Sequence, residues 1–150
     1  MATSVIDEGT GAYCDAEEIR NFIRAFEECT LPRSEWTHQA HLTVAMWYLI
    51  ERSEVEAITC IRNGILRYNA SQGIKTTANS GYHETITLFW VRLVGQHISA
   101  ADDGKSIVEL ANGVIRLFGN KDIPFEYYTR DRLLSLEARM RWVEPDLKPI

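Results

Sequence analysis

His38 and His41 are the residues whose types and spacing say most about chemistry. Their i, i+3 separation puts both imidazoles on one face of a helix. Ala45 and Tyr48 continue that face, the first leaving room beside His41 and the second bringing a hydroxyl. An imidazole buried without a partner costs about 1–3 kcal/mol. Two of them on a buried helix therefore require backbone, carboxylate, water, metal or ligand to satisfy them. His83 is the second feature, at the head of another apolar stretch in Gly81-Tyr82-His83-Glu84-Thr85. Helix N-terminal amides favour an anion at such a position. If His38, His41 and His83 converge, they can hold a divalent metal with a position open for water, and Glu84 can move protons. Their convergence depends on how two helices cross, which spacing does not fix.

Further candidates flank the histidines. Arg67 can clamp a carboxylate or phosphate, Tyr68 can stack on a ligand, and Tyr82 stands beside His83. Lys75, Thr76 and Thr77 would suit a lid, although polar loops are ordinary. A plainer reading stands against each. His38 can face solvent or cap a neighbouring element, and His83 and Glu84 can be exposed first-turn residues. Arg67 and Asn69 can cap a helix end, and His97 can complement a helix dipole when protonated. Glu35-x-x-His38 has half of a di-iron spacing, but no second Glu-x-x-His completes it. HExxH, the P-loop, G-x-G-x-x-G and G-x-S-x-G are missing. Cys14, Cys29 and Cys60 form neither a CxxC pair nor an even set, so a disulfide framework or zinc knuckle is not expected.

The elements that must position these side chains read as helices almost throughout. Residues 1–13 carry no period and are expected to be a loose lead-in, with one helical domain over 14–150. Asp15 and Glu18 have capping-box spacing ahead of the stripe Ile19, Phe22, Ile23, Phe26. A second helix starts between Ser34 and Thr37 and runs to about Arg52, with no charge on any face from Leu42 to Ile50. Ser53 and Glu56 open a third, and residues 71–80 form a polar loop. A fourth is expected to start near Ser80 or Gly81 and cover His83 to about His97. Arg92 is the only formal charge from Thr85 to Ala101. A fifth spans about Lys105 to Phe118, and a last about Thr129 to Met140. Helices that are apolar all round are buried on most sides. The fold expected is an all-α, single-domain bundle of about six helices, with the second and fourth innermost.

Bulk properties limit the function classes. The chain has 150 residues, 45% hydrophobic and 25% charged, as a globular domain should. Its net charge of −5 argues against nucleic acid or anionic lipid as a partner. Leu42 to Ile50, the longest nearly uncharged apolar run, is too short to span a bilayer. With no signal-peptide pattern and an odd cysteine count, a cytoplasmic protein is expected. Trp36-Thr37-His38-Gln39-Ala40-His41-Leu42, Gly81-Tyr82-His83-Glu84-Thr85 and Ser135-Leu136-Glu137-Ala138-Arg139 together resemble an uncharacterised family of small bacterial helical proteins. That resemblance brings no activity with it. The functional expectation is a small-molecule or divalent-metal site between helices, lined by His38, His41 and His83, with an enzymatic role for Glu84. The alternatives are a metal-free module for a small organic anion, or a structural or homo-oligomeric helical protein.

Overall fold

The structure is a computed structural model and describes residues 13–150. The lead-in expected over 1–13 therefore lies outside the described residues except at its end. There Tyr13 is tied down. Its N–H donates to Asn112 Oδ1 at 2.8 Å, its carbonyl accepts from Asn112 Nδ2 at 3.0 Å, and its hydroxyl pairs with Thr43 Oγ1 at 2.9 Å.

Seven α-helices and two short 3-10 turns follow, with no strand among the described residues. They are α1 (Ala16–Glu27), α2 (His38–Leu49), α3 (Glu54–Ser71), α4 (Glu84–Ala100), α5 (Ile107–Phe118), α6 (Arg130–Leu133) and α7 (Leu136–Met140). The local signals act as their chemistry dictates. Asp15 caps α1 by accepting from the Glu18 N–H, and Ser53 and Ser106 each close a full capping box. No helix among the described residues is long and apolar enough to cross a membrane.

α2 is the central element and packs on α1, α3, α4 and α5. Its two missing faces of charge are explained by that position: Leu42, Val44 and Met46, which point in different directions around the helix, are all fully buried. α4 lies against α2 and buries Phe89, Val91 and Val94. Burying each such side chain contributes roughly 1.5–3 kcal/mol, so the α2–α4 seam is a main source of stability. Gly64 lets α3 approach α1 closely, because a Cβ there would stand 2.9 Å from the Phe26 ring.

The last helix expected from the sequence is divided. Ser135 interrupts it by accepting from the Ala138 N–H and starting α7 afresh. The break frees the carbonyl of Leu133 for a partner outside the helix, and that partner is His83. The extended tail is fastened as well: Tyr128 donates to the Val143 carbonyl at 2.7 Å, and Asp146 accepts from both the N–H and hydroxyl of Thr129.

Candidate functional site

A cavity of about 360 Å³ opens between α2, α3 and α4. His38, His41 and Ala45 line it from α2, with Trp36 and Thr37 just before that helix. Ile61 and Ile65 form the α3 wall, and Ile86, Thr87, Trp90 and Val91 the α4 wall. Lys121, exposed in the loop after α5, completes the rim. Helical periodicity builds these walls: Ile61 and Ile65 are one turn apart, as are Ile86 and Trp90, and as are His41 and Ala45.

Each histidine at this cavity uses one ring nitrogen to hold its own position. His41 Nδ1 lies 2.8 Å from the carbonyl of Thr37, the residue that caps α2 through its hydroxyl. The His41 ring also lies against Trp36, with centroids 3.9 Å apart, and Trp36 in turn stacks on Phe26 at 5.0 Å. His38 Nε2 lies 2.8 Å from the carbonyl of Phe118, the last residue of α5. Helix-end carbonyls lack intrahelical partners, so His38 satisfies one that α5 leaves open. The His38 ring also faces Trp90 at 4.8 Å.

Burial pushes the His41 imidazole down to about 4, against the opposing pull of the Thr37 carbonyl. Burial also lowers His38; the Phe118 carbonyl raises it, and the nearby Lys121 ammonium lowers it again. Both rings are neutral near pH 7. A carbonyl can only accept, so each contact fixes a tautomer: His38 carries its proton on Nε2 and His41 on Nδ1. The remaining nitrogens, Nδ1 of His38 and Nε2 of His41, have no hydrogen-bond partner among the described residues.

His83 does not line the cavity. The helix expected to begin near Ser80 or Gly81 begins instead at Glu84, and His83 is its cap. Its Nδ1 accepts from the Ile86 N–H at 3.1 Å, and its Nε2 donates to the Leu133 carbonyl at 2.9 Å. Both ring nitrogens are therefore used, and burial holds the imidazole below its ordinary range. The later start follows from the tertiary clamp around Gly81. Arg139 donates to the carbonyls of Ala78, Gly81 and Tyr82 at 3.3, 2.9 and 3.1 Å. Gly81 itself sits at φ +86°, where a Cβ would lie 2.5 Å from the Lys75 carbonyl oxygen. The loop has thus to double back before a helix can form.

The expected metal triad of His38, His41 and His83 does not assemble. Among the described residues no three His, Cys, Asp or Glu side chains gather as a metal site requires. Glu84, expected as the proton-moving residue, forms a two-pronged ion pair with Arg62 and accepts from the Tyr82 hydroxyl at 2.7 Å. Burial raises the Glu84 carboxyl, but Arg62 and Tyr82 outweigh it and hold the group ionised below its usual range. The same bond and burial push the Tyr82 hydroxyl up. Tyr68 is buried and donates to the Leu31 carbonyl at 2.8 Å, away from the cavity walls. Arg67 is exposed. Asn69 helps end α3 through its backbone carbonyl, which accepts from the Gln72 and Ile74 N–H groups, rather than through its side chain.

The cavity residues that spacing arguments passed over are Trp36, Thr37, Thr87, Trp90 and Lys121. Trp36 and Thr37 directly precede His38, so the signal for them lies in the same motif as the histidines. Lys121 follows α5 in a polar turn and carries no sequence signal for this role. No protein-family model, curated protein or solved structure matches the chain.

Proposed function

We propose that this protein binds a small, mainly apolar organic molecule in the cavity between α2, α3 and α4, without a metal. The observation that carries this reading is the contrast inside the cavity. Its walls are largely isoleucine, valine and indole, yet two imidazoles line it, each anchored through one ring nitrogen while the other has no hydrogen-bond partner among the described residues. A volume of about 360 Å³ falls within the range of ligand pockets, and apolar walls with few fixed polar groups are their usual make-up. Anchoring each ring through its other nitrogen and against a tryptophan limits the ordering cost on binding. No catalytic step is assigned, since Glu84 is committed to Arg62.

Trp36 and Trp90 both line the cavity, so ligand entry should change tryptophan fluorescence. Titration with small aromatic molecules should give saturable quenching that a chelator leaves unchanged. Ala45→Leu, which fills the space beside His41, should abolish it while the fold is retained. Saturable quenching that persists in A45L would place the bound molecule elsewhere and sink the proposal.

A further inference from the structure

The hydrogen-bond polarity of the cavity restricts what can enter. His38 and His41 each face a backbone carbonyl, at 2.8 Å in both cases. A carbonyl oxygen has no proton to give, so the facing nitrogen must be the protonated one. The second nitrogen of each ring is then a bare acceptor unless the ring becomes a cation. The groups around the rings oppose that. His38 is flanked by Trp90, the Phe118 carbonyl and the Lys121 ammonium; His41 is flanked by Trp36, the Thr37 carbonyl and His38. No carboxylate is among these neighbours to steady an imidazolium. A carboxylate ligand would thus bring its own lone pairs against two ring lone pairs, with only Lys121 at the rim to favour it. The apolar lining supplied by Trp36, Trp90, Ile61 and Ile65 suits an aromatic body.

We infer that the ligand is a planar, uncharged hydrogen-bond donor, a phenolic hydroxyl or a heteroaromatic N–H, which donates its one proton to the second imidazole nitrogen of His41. This rests on the cavity being a ligand site, and it puts a neutral molecule in place of the small organic anion of the metal-free alternative.

Three probes of similar shape separate the two readings: para-cresol, its methyl ether and para-toluate. Each is titrated into the full, nitrogen-15-labelled chain near neutral pH, with long-range proton–nitrogen correlations of the imidazoles as readout. The free protein should show His38 as the Nε2–H tautomer and His41 as the Nδ1–H tautomer. Para-cresol should saturate and move the resonance of an unprotonated ring nitrogen. The ether and the toluate should bind on the order of tenfold more weakly, the loss expected for one missing hydrogen bond in a dry site. His41→Phe, which keeps a ring against Trp36, should erase the preference for the phenol over the ether. If the ether or the toluate binds as tightly as the phenol, the cavity remains a ligand site and the donor inference falls. Opposite tautomers, or imidazolium rings at neutral pH, overturn it as well. If none of the three binds, the small-molecule reading fails and takes this inference with it.

Discussion

The heads of α2 and α4 use the same residue type to different ends. At the head of α4, His83 spends both nitrogens, one on the Ile86 N–H and one on the Leu133 carbonyl, and is buried among the groups it joins. At the head of α2, His38 and His41 spend one nitrogen each on a carbonyl and keep the other, beside a cavity. A histidine with both nitrogens paired is a structural bolt. A histidine with one nitrogen anchored and one unpaired is oriented for something else. The count of satisfied ring nitrogens separates the two roles, whereas position in the helix does not.

The strongest way to break that comparison is His83→Ala. It removes the α4 cap and strands a buried carbonyl, so unfolding free energy should fall by about 3 kcal/mol. Urea unfolding monitored by circular dichroism reads this directly, and a loss no larger than that of His38→Ala would erase the distinction. Acid comes next. The His41 imidazole is held at about 4 when folded against an ordinary 6.5, so the unfolded chain binds more protons between those values. Its contribution is complete above pH 6.5 and is lost as the pH falls towards 4. With its partial exposure discounted, that loss should be ~2 kcal/mol, and His41→Gln should flatten the stability–pH curve over the same window.

Glu84→Gln tests the α4 head from its polar side. The pair with Arg62 is partly exposed, so neutralising it should cost only about 1 kcal/mol, and cavity binding should persist. Loss of binding with an intact fold would instead return Glu84 to the ligand site. The smallest effect belongs to Lys121→Ala. The residue is exposed, and stability should change by no more than about 0.5 kcal/mol. The His38 titration should still move upward once the ammonium that lowers it is gone, which a proton-detected pH titration of His38 can follow.

Much of the fold was legible because its signals are local. Ser53 with Glu56 opens α3 as its spacing requires, and the uncharged run after His41 marks α2 as the central helix. Asp15 caps α1 for the same reason: cap and stripe lie within one or two turns of each other. The site was legible only in part. That His38 and His41 share a cavity follows from i, i+3 spacing on a buried helix. The placement of His83 does not, because its partner is the carbonyl of Leu133, 50 residues away and freed by the break at Ser135.

The sequence by itself thus determined that α2 and α4 are buried and that two imidazoles lie on one face, since periodicity and absence of charge are properties of a single segment. Only the tertiary structure decided which nitrogens remain unpaired. The Phe118 carbonyl reaches His38 from α5, and the Leu133 carbonyl reaches His83 from α6. A hydrogen-bond partner supplied by a distant backbone leaves no trace in residue type, because every residue carries the same carbonyl.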